Sequence, residues 1–285
     1  MRALLPLTLL FAIARMTLGA PAPPLKIAGT TAVVYKTIGE TKLFIYIFKP
    51  KDHDESDERP AVVFFFGGGW NGGKPTQFEH HCRHLASRGM VAMVADYRVK
   101  SRHGTTPKEC VMDGKSAIRW IRSNAGTLGV DPNRIVAGGG SAGGHVAAAT
   151  GTVVGLEQLG EDVRVSSQPN ALLLFNPVYD NSPAGYGHSR VKDVYPQISP
   201  MHNIKKDTPP TIVFLGTKDS LIPVDTAKDY KQRMEAVGRR CELHLYEGQP
   251  HGFFNYGNQK YYLDTVEKMD KFLVSLQYVK SKTSK

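Results

Sequence analysis

Residues 131–145 read DPNRIVAGGGSAGGH, and the reading of the whole chain works outward from them. Asp131-Pro132-Asn133 is a turn, residues 134–138 are a short strand, and a small-residue helix begins at Ala142. Between strand and helix stands Gly139-Gly140-Ser141-Ala142-Gly143. A serine on so sharp a turn needs small neighbours, because its strained backbone brings adjacent segments almost into contact. The same turn exposes the serine Oγ above the sheet and aims the N–H of Ala142 at a bound carbonyl. Two rival glycine motifs are weaker. Gly138-x-Gly140-x-x-Gly143 fits a dinucleotide fingerprint, but Glu161 and Asp162 end no apolar strand. Gly68-x-x-x-x-Gly73-Lys74 approaches a phosphate loop, but Pro75 stands where the Mg2+-binding hydroxyl belongs.

A serine is a poor nucleophile unless an imidazole takes its proton and a carboxylate orients that imidazole. The sequence supplies both downstream. A strand over 211–216 is followed by Asp219, and one over 242–247 by His251. The order Ser141, Asp219, His251 is that of a nucleophile-elbow hydrolase, and in open α/β sheets such strand ends converge on one crevice. Read singly, Asp219 is equally a turn or capping aspartate, and His251 a loop histidine packed among Pro250, Phe253 and Phe254. Asp180 and Asp225 are the rival acids.

The oxyanion partner is expected after the third strand, where residues 61–70 read AVVFFFGGGW. Gly68 and Gly69 are the donors, with Ala142 opposite; each such N–H contributes about 3–4 kcal/mol in a comparable hydrolase. Trp70, Asn71 and Tyr179 are candidate pocket walls. His145 packs beneath the elbow, and Arg98 is tied to backbone or carboxylates. His80, His81 and His84, with Cys82, lie in a helical stretch and read as solvated or capping groups, so no metal and no cofactor are expected.

Further strands are expected over 31–37, 42–49, 61–66, 90–96 and 171–175, the first two as a hairpin around Gly39–Glu40. Helices are expected over 76–88, 108–124, 142–153, 225–237 and 260–277. Such alternation predicts an α/β fold: a mostly parallel eight-stranded sheet with helices on both faces. Residues 20–285 read as a single domain, with an irregular, cap-like insertion over 177–210.

Residues 1–19, MRALLPLTLLFAIARMTLG, read as a signal peptide cleaved after Gly19, which implies a secreted or periplasmic protein. The apolar run is too short for a bilayer span, so no stable membrane insertion is expected. Cleavage lowers the formal net charge from +10 to +8. The basic residues are scattered, which argues against a nucleic-acid partner, although the balance hints at acidic polysaccharides. Cys82, Cys110 and Cys241 allow one disulfide at most and read as three ordinary thiols.

Taken together, FFFGGGW, DYR, the 131–145 segment, GTKD and PHGF resemble the α/β-hydrolase superfamily over residues 30–278, and within it secreted carbohydrate esterases of the acetyl-xylan-esterase and lipase-like type. The resemblance implies a serine esterase that hydrolyses small acyl esters, or an acetylated polysaccharide, through an acyl-enzyme. Ser141 would be the nucleophile, His251 the base, Asp219 the orienting acid, and Gly68, Gly69 and Ala142 the oxyanion hole. One departure is that Phe66 replaces the histidine that opens the family's His-Gly-Gly-Gly loop, which leaves the anchoring of that loop to be explained. The alternatives are a peptidase resembling the prolyl oligopeptidases and a non-catalytic binding module on the same fold.

Overall fold

In the computed structural model, which describes residues 24–281, the strands are β1 (Thr31–Ile38), β2 (Thr41–Phe48), β3 (Arg59–Phe65), β4 (Val91–Ala95), β5 (Val130–Gly140), β6 (Ala171–Phe175), β7 (Thr211–Gly216) and β8 (Cys241–Tyr246). They form one sheet in the order β1-β2-β4-β3-β5-β6-β7-β8. The first two pairings are antiparallel, and every pairing from β4 to β8 is parallel. The α/β sheet with covered faces is therefore the one read from the sequence. The proposed leader lies outside the described residues.

The helices are α1 (Glu79–Ser87), α2 (Lys100–His103), α3 (Pro107–Ser123), α4 (Ala142–Thr152), α5 (Val224–Ala236) and α6 (Gln259–Ser275). Alternate residues of a strand face opposite sides, and β3 shows the result. Val63 and Phe65 pack with Ile118, Val146 and Tyr230 from α3, α4 and α5; Val62 and Phe64 pack with Leu85 of α1 and Phe272 of α6. A parallel sheet buried on both faces needs continuous apolar runs, which is why β3, β4, β6 and β7 consist almost wholly of buried residues. β5 starts four residues earlier than expected, because Val130 pairs with Arg59 across the Asp131-Pro132 turn.

Behind β4 the chain is fixed by a buried ionic group. Arg98 clasps Asp113 of α3 through Nε and Nη2, both at 2.8 Å, and Lys36 of β1 reaches the same carboxylate at 2.7 Å. Asp113 is fully buried, so it needs both cations. This places residues 96–106, which lie against the loop after β3.

Cys82, Cys110 and Cys241 are buried free thiols. The histidine run divides. His80 stacks on Tyr256 and His84 bonds Asp270 at 2.9 Å, but His81 is neither solvated nor capping. It is wholly buried among Phe64, Phe78, Phe175, Phe254 and Tyr262, and neither ring nitrogen has a hydrogen-bond partner among the described residues. The sequence pattern of α1 gives no sign that position 81 meets the β6 side of the sheet.

Burial holds His81 neutral, moving its pKa from 6.5 to about 3. The unfolded chain takes up this proton near pH 6.5 and the folded protein does not, so His81 lowers stability as pH falls from about 6.5 to about 3. A His81→Phe variant is expected to flatten the dependence of unfolding free energy on pH by about 1.4 kcal/mol per unit between pH 6 and 4. Urea titrations across that range check this; identical slopes for the two proteins would contradict it.

Candidate active site

The turn after β5 has the strained backbone its composition requires. Ser141 has φ +55° and ψ −120°, a conformation that side chains other than glycine rarely adopt. Its neighbours show why the motif demands glycine. A Cβ on Gly139 would lie 2.3 Å from the Gly143 carbonyl oxygen, and one on Gly143 would lie 2.1 Å from that of Phe65. The serine N–H donates to Phe175 O at 3.0 Å, while its carbonyl accepts from His145 and Val178. Ser141 is thus sewn between the end of β6 and the first turn of α4, and it remains partly exposed.

Asp219 and His251 meet as the sequence order suggests. His251 Nδ1 lies 2.7 Å from Asp219 Oδ2, and the other carboxylate oxygen accepts the N–H groups of Leu221 and Ile222 at 2.9 and 3.0 Å. The Asp219 side chain is fully buried and that of His251 is 22% exposed. A carboxylate so held cannot turn away, and it fixes the tautomer with the proton on Nδ1, leaving Nε2 as a base. The rival acids are engaged elsewhere: Asp180 accepts from Ser182, and Asp225 pairs with Lys228.

Sequence reasoning missed Asn176. It follows β6, is fully buried and has φ +35°. Its N–H donates to Phe214 O at 2.7 Å, and its Oδ1 accepts from Gly252 N–H at 2.8 Å. That bond fixes the amide orientation and turns Nδ2 toward His251 Nε2, 3.4 Å away. Segment 175–178 therefore holds both the Ser141 backbone and the histidine loop. The only sequence signal was its place directly after a strand, with a rare positive φ that asparagine tolerates better than most residues.

The loop after β3 is held almost entirely through its carbonyls. Phe66 O accepts from the Tyr97 hydroxyl at 2.5 Å, Gly68 O from the N–H groups of Asn71 and Gly72, and Gly69 O from Arg190 Nη1 at 2.8 Å. Trp70 O and Asn71 O accept from the Lys100 and Ser101 N–H groups. Gly67 N–H donates to Gln77 Oε1 at 2.6 Å. The N–H groups of Gly68 and Gly69 find no acceptor among the described residues, and that of Ala142 stands free at the first turn of α4. These three are the donors named from the sequence. Phe66, in the histidine's place, stacks on the Tyr97 ring at 4.2 Å, so an aromatic pair and a buried phenol anchor the loop.

The three suggested pocket walls differ in their surroundings. Tyr179 is fully buried and its ring stacks on Tyr230 at 4.7 Å. Trp70 is only 2% exposed; its indole Nε1 donates to His145 Nδ1 at 3.3 Å, and it supports the loop from below. His145 Nε2 in turn faces Ile198 O at 3.1 Å, and burial keeps the ring neutral, with its pKa lowered to about 4. His145 lies beneath the elbow, as expected. Asn71 alone of the three is exposed. Residues 177–210 lie against this assembly through Arg190, through Gly187 on the Trp70 ring, and through Ile198. Among the described residues no group of three or more His, Cys, Asp and Glu could hold a metal ion, and no helix is long and apolar enough to cross a membrane.

Comparison with known proteins places this geometry. A family profile for the alpha/beta hydrolase fold matches residues 62–255. The chain is similar to esterase 2 of Thermogutta terrifontis phosphorylated by paraoxon, at 47% identity and TM-score 0.85, over 90% of this chain and 98% of that one. It is similar to the propionate-bound form at 46% identity and TM-score 0.85, over 90% and 97%. It is also 30% identical to esterase LipC of Mycobacterium tuberculosis over 68% of this chain and 53% of that protein. The chain spans about half the length of the curated relatives it matches.

Replacing Asn176 by alanine leaves the Gly252 N–H without its acceptor and frees the histidine loop. Ester turnover should then show kcat lowered about tenfold with KM little changed, the consequence of losing one buried hydrogen bond that positions the base. Steady-state kinetics on a nitrophenyl ester check this; an unchanged kcat would remove Asn176 from the site.

Proposed function

We propose that this chain, which belongs to the alpha/beta hydrolase family, is a serine carboxylesterase that removes short acyl groups, acetyl in particular, from carbohydrate alcohols. The carrying observation is the elbow serine: strained and partly exposed, it lies among three unused N–H donors and shares the 175–178 segment with a histidine bonded to a buried aspartate.

In this reading Ser141 Oγ attacks the ester carbonyl as His251 Nε2 takes its proton. The carbonyl oxygen gains negative charge, held by the N–H groups of Gly68, Gly69 and Ala142, which need no reorganisation to receive it. When the tetrahedral intermediate collapses, the carbon–oxygen bond to the alcohol breaks, and His251 returns its proton to the leaving oxygen. Water, deprotonated by His251, then attacks the acyl-enzyme and releases the carboxylic acid and free Ser141. Asp219 holds the imidazole in place and stabilises the imidazolium in both halves.

The short-acyl preference draws on the similarity to an esterase whose solved forms include propionate- and butyrate-bound states. The carbohydrate alcohol draws on the exposed polar residues around the loop after β3, among them Asn71 and Lys100. Export is proposed from the leader-like residues 1–19.

The test is acetate release from acetylated xylan, and nitrophenol release from acetate through octanoate esters. Activity is expected to fall steeply beyond butyrate. Ser141→Ala and His251→Ala should each lower kcat by roughly 10³-fold or more, with the fold intact by circular dichroism. Turnover that survives in Ser141→Ala would overturn the mechanism, and a preference for octanoate would overturn the substrate class.

A further inference from the structure

Beside Gly69 a cavity of about 360 Å³ opens between the loop after β3, α2 with the turn that follows it, and the 177–210 insertion. The loop after β3 contributes Asn71, the turn between α2 and α3 contributes Thr105 and Thr106, α2 contributes Lys100, and the 177–210 insertion contributes Ser189 and Arg190. Two cations line it and no acid does.

The surrounding charges sharpen that imbalance. Arg102, two residues from Lys100, is neutralised by both oxygens of Asp96, and Arg98 by Asp113. Glu109 is turned into the capping box of α3, accepting the Thr106 N–H at 2.8 Å and its hydroxyl at 2.6 Å. Asp96 and Asp113 are thus each paired with an arginine, and Glu109, though it bonds the lining residue Thr106, is held in the capping box and does not itself line the cavity. Arg190 gives one N–H to Gly69 O and lies over the rings of Trp70 and Tyr186. Its other donors, like the Lys100 ammonium, meet no carboxylate among the described residues. A guanidinium fixed by one bond and two rings is oriented before any ligand arrives, and its planar fork suits a carboxylate.

We propose that this cavity is an anion subsite, in which Lys100 and Arg190 hold a carboxylate carried by the ester substrate. The inference rests on the esterase reading, because the cavity begins at the residue whose N–H would hold the oxyanion. A group bound there therefore belongs to the ester being cleaved at Ser141. Two substrate classes carry such a group. On the alcohol side it is a uronate, as in an acetylated acidic polysaccharide; on the acyl side it is the free end of a dicarboxylic hemiester.

The test compares kcat/KM within two matched pairs: acetylated methyl glucoside against acetylated methyl glucuronide, and nitrophenyl valerate against the nitrophenyl hemiester of succinate. The proteins are the wild type, Ser141→Ala, Lys100→Glu, and Lys271→Glu as a control of equal charge change on α6. The wild type should favour the anionic member of one pair by about tenfold at low salt, and less at high salt, where exposed charges are screened. Lys100→Glu should abolish or invert that ratio, while Lys271→Glu keeps it. The pair that responds identifies which side of the ester carries the carboxylate. Equal ratios in both pairs, or a preference that persists in Lys100→Glu, would overturn the subsite and leave the esterase reading standing. Absence of Ser141-dependent turnover of all four esters would overturn the esterase reading itself.

Discussion

The site depends on the loop after β3, in which the carbonyls of Phe66, Gly68, Gly69, Trp70 and Asn71 are bound while the N–H groups of Gly68 and Gly69 find no acceptor among the described residues. Backbone N–H groups are costly to leave unpaired unless water or a ligand meets them. Here Tyr97, Arg190 and the backbone of 100–101 hold the carbonyl side, while the Gly68 and Gly69 N–H groups find no acceptor among the described residues. Donors held in this way do not need to rotate when charge develops on a substrate oxygen, which is the source of their effect in a proposed acyl transfer. The rest of the fold keeps that loop rigid. The Lys36–Asp113–Arg98 group fixes the segment carrying Tyr97 and Lys100, and the Phe66–Tyr97 stack ties the end of β3 to the same segment.

Strain at Ser141 is the complementary constraint. The turn is tolerable only because Gly139 and Gly143 let β3, β5 and α4 approach within backbone contact. The same crowding that forces glycine at these positions keeps the elbow from relaxing, so the serine stays raised above the sheet. Asn176 completes the arrangement from the other side, because one buried side chain bonds the histidine loop while its own strand end bonds the serine.

Much of this was legible in the sequence, for physical reasons. Parallel strands buried on both faces must be continuous apolar runs, and the elbow must be rich in glycine, so the sheet and the positions of Ser141, Asp219 and His251 at strand ends followed from local pattern. What was not legible were contacts between segments far apart in the chain. Nothing in α1 shows that His81 enters an aromatic cluster, and nothing around Tyr179 shows that it stacks on Tyr230 in α5 instead of facing solvent. The anchoring of the loop without its usual histidine likewise depends on Tyr97 and Arg190, 31 and 121 residues from the carbonyls they bind.

The central claim is that Ser141 is a nucleophile activated by the His251–Asp219 pair. Labelling with paraoxon, followed by intact-protein and peptide mass spectrometry, tests it most directly, since the reagent phosphorylates an activated serine. The account predicts a single diethylphosphoryl group on Ser141, no label in Ser141→Ala, and labelling slowed by orders of magnitude in His251→Ala. A label on another residue, or labelling of Ser141 at the same rate without His251, would contradict it.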